Sequence, residues 1–413
     1  MKKISYLASA AISTAFAAPA LSSDGTHQVD EEMIVLATRT PIEVSRSLSA
    51  VTVIDRSEIE RLQASDLFEL LSRVPGVSFI RNGGKGSSTS LILRGNQSDH
   101  SLFLIDGVRI GSATLGSASL SAISTSLIER VEIIRGPKSN LYGADAIGGV
   151  VNIISRKVKN ARELSVKTSA GSNDTRETTI AGGVSDDSTS FTVIANSLYT
   201  SGIDNTETKA GAKGDDDAHR SKSLALNYQN QLTEKAKLSL SYNINDSENE
   251  YDGSCTNSTT FASLDCFIYS TGTVDSLSGL LEVKVNNVWF TSLQIGSSDD
   301  KSKQYADNID INTTFSAGEF NTSKQEATWL NNIYFNKNHI LTAGVDYQKD
   351  EVSGSTDYDE SSRDNKAGFI QYQSNFSSLS INLGTRYDDN EQFGSQTTAS
   401  ALIGYDLNEH YRL

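Results

Sequence analysis

Strict alternation of apolar and polar residues recurs from about residue 161 to the end of this 413-residue chain. In residues 237–245 every second residue is apolar, and Ser or Asn occupies most of the positions between them. Residues 341–347 and 379–387 repeat the pattern. Because successive side chains of a β-strand point to opposite faces, this period predicts strands with one apolar face. The other face would meet water or a polar lumen.

The connectors between the alternating segments differ regularly in length. Short turns are predicted at 185–188, 233–234, 286–287, 336–338 and 377, and long acidic loops at 201–220, 248–275, 298–324 and 351–365. Short turns on one side and long loops on the other are typical of outer-membrane β-barrels. Aromatic residues near the strand ends, such as Trp289 and Trp329, would lie at the membrane interfaces. A soluble β-sandwich could alternate similarly, but its loops would not segregate by length so regularly.

A unit of different character, residues 51–155, precedes the alternating part. Short apolar runs bounded by Gly and Pro predict strands at 51–54, 77–80, 91–94 and 102–105, with a hairpin at Asp106-Gly107. Residues 127–155 are interpreted as two buried strands around a tight turn at 135–137. Helices are predicted after a capping box at Ser57 and Glu60, and over 67–73 with Ser65 or Asp66 as cap. The fold class is therefore an α+β domain followed by an antiparallel transmembrane β-barrel.

The first residues predict the compartment. Lys2 and Lys3 precede an apolar run, which is typical of a secretory leader over residues 1–22. An oxidising compartment makes a disulfide between Cys255 and Cys266 the expectation, since the chain has two cysteines.

A β-prone segment interrupts the polar stretch 23–45, which is predicted to be flexible. It consists of Glu32, Met33, Ile34, Val35, Leu36, Ala37 and Thr38. An exposed segment of this kind can add as a strand to the sheet edge of a partner. The alternative is that it pairs within its own domain.

The formal net charge of −15 argues against nucleic acid as a partner. It leaves cations, or lipopolysaccharide bridged by cations, as neighbours beside the membrane lipid. The five histidines are scattered and no nucleophile elbow is present, so an enzyme is not expected.

Several motifs of residues 70–153 resemble those of TonB-dependent outer-membrane transporters. They are LLSRVPGV (70–77), LRG (93–95), LIDGV (104–108), IERVEIIRG (128–136), YG (142–143) and AIGGVVNI (146–153). Within that family, residues 82–84, 105–109, 135–137 and 145–154 most resemble the cobalamin (vitamin B12) transporters. The resemblance implies a plug domain over 46–158, a barrel over 159–413 and an outer-membrane location.

The resemblance also implies partners for particular residues. The β-prone segment 32–38 would be the TonB box, which binds the periplasmic domain of TonB. A corrinoid substrate would contact two plug loops, through Asn82, Gly83, Gly84, Lys85, Ser87, Ser112, Ala113, Thr114 and Leu115. Calcium, which takes six to eight oxygen ligands, would bind Asp204, Asp215, Asp217, Asp252 and Asp265. The alternative is that these acidic loops are merely solvated. His219 stands where the family pattern has an apolar residue.

Strand number departs from the family pattern. About 12 strands are predicted here, whereas the resemblance implies about 22, so a fragment or truncated product is expected. The alternatives to corrinoid uptake are a receptor for a ferric siderophore or another chelate, a fragment that does not transport, and a passive porin or adhesin.

Overall fold

The computed structural model describes residues 33–34, 39–40, 42–158, 160–204, 216–256, 263–308, 313–408 and 411–412. Among these residues, side chains are not described at 33–34, 122, 252–256, 263–267, 307–308 and 313–317. The predicted leader, residues 1–22, lies outside the described residues, as do Glu32, Val35, Leu36, Ala37, Thr38 and Asp215. In the described part of the chain, no helix has the length and apolarity needed to cross a membrane.

Two small sheets, a five-stranded sheet and three helices make up the first part of the chain. Its elements are β1 (Met33–Ile34), β2 (Ile42–Glu43), β3 (Ala50–Ile54), α1 (Arg56–Leu62), α2 (Leu67–Ser72), β4 (Val77–Arg81), β5 (Thr89–Leu93), β6 (Ser101–Ile105), β7 (Val108–Ile110), β8 (Ile128–Arg135), α3 (Ser139–Tyr142) and β9 (Gly149–Ser155). The central sheet has the order β3-β8-β9-β6-β7, and only the β6–β9 pair in it is parallel. The predicted strands and the hairpin at Asp106-Gly107 are confirmed.

The predicted capping box of α1 is wrong. The cap is Asp55, whose Oδ1 accepts a hydrogen bond from the Glu58 backbone N–H at 2.7 Å. A carboxylate satisfies an orphan amide and also favours the positive end of the helix dipole. Asp66 caps α2 in the same way, as predicted, by accepting from Glu69 N–H at 2.9 Å.

The rest of the chain forms one antiparallel sheet of consecutive strands. They are β10 (Arg162–Ala170), β11 (Arg176–Ser185), β12 (Thr189–Thr200), β13 (His219–Thr233), β14 (Ala236–Thr256), β15 (Ser263–Lys284), β16 (Trp289–Asn308), β17 (Thr313–Asn336), β18 (His339–Gly354), β19 (Ser362–Phe376), β20 (Leu379–Asn390), β21 (Gly394–Asn408) and β22 (Tyr411–Arg412). Each strand pairs with the next, in the order β10 to β22. The prediction of about 12 strands is confirmed by β10 to β21, and the short β22 follows them.

Several predicted long loops are shorter than expected. Residues 248–275 were predicted to be a loop, yet β14 continues to Thr256 and β15 begins at Ser263. The segment 298–324 likewise lies largely in β16 and β17. Beyond the apolar belt both faces of a hairpin can meet water, so the ladder continues without apolar alternation. The prediction relied on that alternation and therefore ended these strands too early.

The two faces of the large sheet carry the predicted alternation. Leu164 and Ile295 are 78% and 59% exposed on the face away from the first domain. Polar residues of the opposite face are buried because the first domain packs on them. Asn243 Nδ2 donates to Asp106 Oδ2 at 3.1 Å, and Ser298 Oγ donates to the Arg109 carbonyl at 2.6 Å. The first domain thus packs on the polar side of the sheet.

Candidate functional site

A cavity of about 780 Å³ opens between the loop 82–88 and the ends of strands β14 to β17, where the longer connectors lie. Its lining consists of Asn82, Gly83, Gly86, Ser87 and Ser88 from the loop, with Asp217, Asn249, Tyr251, Ser270, Ser302, Gln304 and Phe320 from the sheet and its connectors. Amides, hydroxyls and two aromatic rings therefore face the same space. The volume and the mixture of polar and aromatic groups are typical of a small-molecule site. This space is called the vestibule below.

The loop 82–88 is closed by its own backbone. Asn82 N–H donates to the Ser88 carbonyl at 3.1 Å, and Ser87 N–H donates to the Gly84 carbonyl at 3.3 Å. Gly83 and Gly86 have φ angles of 134° and 87°, which favour glycine. Of the predicted substrate-binding residues of this loop, Asn82, Gly83 and Ser87 line the vestibule.

The side chain of Lys85, by contrast, is hydrogen-bonded to another segment of the plug. Its Nζ donates to the Ser65 carbonyl at 2.7 Å. Burial lowers the pKa of the Lys85 ammonium from its ordinary value. Lys85 and Gly84 are not among the residues that line the vestibule.

The second predicted substrate loop, residues 112–115, packs against strand β17 of the large sheet. Ala113 N–H donates to Thr322 Oγ1 at 3.1 Å, and Ser112 Oγ accepts from Leu115 N–H at 3.1 Å. The side chain of Leu115 is 71% exposed. None of the four residues Ser112, Ala113, Thr114 and Leu115 lines the vestibule. The two predicted substrate loops therefore do not line the same cavity.

The predicted calcium ligands are only partly described. Asp217 N–H donates to the Ile203 carbonyl at 3.2 Å, which places Asp217 beside Asp204 along the backbone. Asp252 and Asp265 lie towards the same ends of β14 and β15, but their side chains are not described. Within the described ranges, no three His, Cys, Asp or Glu side chains form a group that could hold a metal. Calcium binding therefore stays a prediction.

The predicted disulfide also stays a prediction. Cys255 is paired with Leu264 and Cys266 with Gly253, so the two cysteines lie on adjacent strands two residues apart in register. Their side chains lie outside the description.

The two described residues of the predicted TonB box pair within their own chain. Met33 is paired with Glu43 and Ile34 with Ile42. This is the alternative that the sequence left open for the segment. In the described part of the chain β1 pairs only with β2, so a partner strand would add at the other edge of β1 or displace β2.

Directly after this segment, Arg39 forms a charged cluster with Asp346 and Arg386 that the sequence did not predict. Arg39 lies against the Asp346 carboxylate, with its guanidinium over the ring of Tyr142 at 4.5 Å. Arg386 contacts the other Asp346 oxygen and also donates to the Leu141 carbonyl at 3.1 Å. The available signal was a charged residue on the polar face of two predicted strands, Asp346 and Arg386. It does not reveal which charge meets which.

A smaller cavity of about 220 Å³ adjoins this cluster. Arg39, Arg109, Glu326, Asp346 and Arg386 all line it. Arg109, within the LIDGVR segment, pairs with Asp145 at 3.2 Å and with Glu326 at 3.5 Å. The plug and the sheet are therefore joined by opposite charges rather than by apolar packing alone.

Burial raises the pKa of Tyr142, beside the cluster, to about 12. The phenol is already neutral at physiological pH at its ordinary pKa of 10.0, and burial makes its ionisation still less favourable. The negative charge that faces Arg39 comes from Asp346.

Comparison with protein families identifies both parts of the chain. Residues 43–150 match the TonB-dependent Receptor Plug Domain, and residues 164–413 match the TonB dependent receptor-like, beta-barrel family. Sequence relatives include the vitamin B12 transporter BtuB of Vibrio cholerae, 30% identical over 382 residues, and that of Photobacterium profundum, 30% identical over 388 residues. The alignments cover 92% and 93% of this chain. The chain spans 61% of the length of each of these relatives.

Solved structures with the same fold are siderophore receptors and related complexes. The FpvAI–pyocin S2 complex has a TM-score of 0.73 at 14% identity, covering 92% of this chain and 59% of that one. The siderophore receptor PirA from Acinetobacter baumannii has a TM-score of 0.69 at 21% identity, covering 88% of this chain and 59% of that one. At such identities the likeness shows the fold alone. Together with the family matches over both domains, it establishes that the chain belongs to the TonB-dependent receptors, a family of outer-membrane proteins.

Proposed function

We propose that the chain acts in TonB-dependent uptake of cobalamin or related corrinoids across the outer membrane. The observation that carries this proposal is the vestibule, which is lined by the loop beginning at Asn82-Gly83-Gly84, the segment that resembles cobalamin transporters. The relatives at 30% identity are named vitamin B12 transporters, which supports the same substrate class.

The lining of the vestibule suits a large polar ligand. Asn82, Asn249 and Gln304 offer amide donors and acceptors, and Tyr251 and Phe320 offer aromatic faces. A corrinoid carries amide side chains around a planar conjugated ring, so it complements both kinds of group. Among the described residues that line the vestibule there is no basic side chain, whereas an anionic ferric chelate would favour an excess of them.

A ferric siderophore is the second candidate, because the structural relatives include siderophore receptors. Equilibrium binding to the purified chain separates the two. We expect cyanocobalamin to quench intrinsic fluorescence saturably and a ferric catecholate not to compete with it. Binding of the ferric chelate in place of cyanocobalamin would overturn the corrinoid proposal.

The proposed transport step requires the periplasmic domain of TonB to pair with residues 32–38. Energy from the inner membrane would then reach the plug through this segment. In contrast, a passive porin would take up its solute without TonB. Calcium, in this proposal, orders the acidic connectors through Asp204, Asp215, Asp217, Asp252 and Asp265.

A further inference from the structure

Gly86 of the plug lies close to two side chains of the sheet at the vestibule. This glycine is buried and has a φ of 87°. A Cβ placed there would lie 1.9 Å from Asn249 Oδ1 and 2.2 Å from His219 Nδ1. These distances are far below van der Waals contact, so any side chain at this position would require Asn249 and His219 to shift.

The two side chains that face Gly86 belong to neighbouring strands. His219 begins β13 and is directly paired in register with Asn249 of β14. The imidazole Nδ1 contacts the Asn249 amide oxygen, and the imidazole is almost wholly buried. The neighbouring backbone segments are also hydrogen-bonded, since Glu250 N–H donates to the Ala218 carbonyl at 2.9 Å.

The remaining imidazole nitrogen of His219 is buried without a hydrogen-bond partner among the described residues. A buried polar atom without a partner destabilises a fold. The contact with Gly86 supplies a reason for a histidine at this position, because the ring closes the space around the loop.

We propose that His219 and Asn249 form a clamp that seats the Gly86 backbone and holds the loop 82–88 in the shape that lines the vestibule. His219 is a positioning residue, since it does not line the cavity itself, whereas Asn249 both lines the cavity and contacts the loop. The inference rests on the proposed function to the extent that the vestibule is the substrate site. It adds that two wall residues, remote in sequence from the plug, set the geometry of the substrate-facing loop.

Hydrogen exchange of the loop amides tests the clamp without any substrate. In Gly86→Ala we expect the amides of Asn82 and Ser87 to exchange about tenfold faster, because the loop is displaced and its closing bonds open more often. Asn249→Ala, which removes a contact without adding bulk, is expected to accelerate the same amides. This second variant keeps the test valid if Gly86→Ala fails to fold.

Gly95→Ala is the matched control. Gly95 has a φ of 79°, similar to that of Gly86, but no atom lies within 4 Å of an added Cβ. Both variants place alanine at a similar positive φ, and only Gly86→Ala meets the clamp. Exchange in the loop should therefore change by no more than about twofold in Gly95→Ala.

A double variant separates positioning from general damage. Adding Asn249→Ala to Gly86→Ala removes the nearest obstructing atom and should make loop exchange slower than in Gly86→Ala alone. If Gly86→Ala exchanges as Gly95→Ala does, the clamp is wrong, whatever the binding result. If the parent chain does not bind cyanocobalamin, the proposed function fails, while exchange alone still decides the clamp.

Discussion

Arg39 donates to Asp346 at 2.9 Å across 307 residues of sequence, which joins the start of the plug to strand β18. Both side chains are nearly buried, and Arg386 shares the same carboxylate. Because Arg39 lies five residues after Ile34, any pull on the N-terminal segment reaches this ion pair early. The relationship therefore links the proposed TonB contact to the wall of the barrel.

Loss of this ion pair should loosen the N-terminal segment. In Arg39→Ala the peptide that spans residues 33–46 is expected to exchange its amides about tenfold faster, since a buried charge pair is broken. Hydrogen-exchange mass spectrometry measures this directly. Arg46→Ala is the control, because the Arg46–Glu43 pair is half exposed and should contribute little. Equal exchange in the two variants would contradict a special role for Arg39.

The TonB box is tested by Ile34→Pro. Proline removes a backbone donor and fixes φ, so a partner strand cannot pair at this position. We expect uptake of labelled cyanocobalamin by cells to stop while binding to the same cells persists. Ile34→Val, which keeps the backbone donor, is the matched control and should transport normally. Unimpaired uptake by Ile34→Pro would contradict the assignment.

Buried Lys138 predicts a stability change with pH. Burial lowers the pKa of its ammonium from 10.5 to about 8 in the folded chain. The unfolded chain therefore binds more protons between pH 8 and 10.5, and stability should rise with pH across that window. The difference corresponds to about 3 kcal/mol in the free energy of unfolding.

Lys138→Met isolates this contribution, because other groups titrate in the same range. Denaturant unfolding of the variant and the parent should be compared at pH 8 and at pH 10. We expect the variant to be more stable at pH 8 and the two chains to converge at the higher pH. A constant difference between them would show that Lys138 does not titrate in this window.

Local patterns located most elements but not their ends or their long-range contacts. The alternation at residues 237–245 identified β14, yet it ended before Thr256 because hairpins beyond the apolar belt need no apolar face. A cap could be misassigned between Asp55 and Ser57, since both residue types accept hydrogen bonds at a helix start. No local pattern indicates that Asp346, on the polar face of its strand, meets Arg39. The site was predictable only where a motif covered it, as at Asn82-Gly83-Gly84.

Calcium dependence is tested by the double variant Asp215→Ala with Asp217→Ala. Asp217 lies at the vestibule, so loss of these carboxylates should weaken cyanocobalamin binding mainly by removing its response to calcium. Affinity should be measured by titration in calcium and in a chelator, for the variant and for the parent. Asp186→Ala with Asp187→Ala, in the turn between β11 and β12 at the opposite side of the sheet, removes the same charge and serves as control. We expect the parent and this control to bind more tightly with calcium, and the first variant to bind equally in both conditions. Identical parent affinities with calcium and with chelator would show that the acidic connectors are solvated rather than cation-binding.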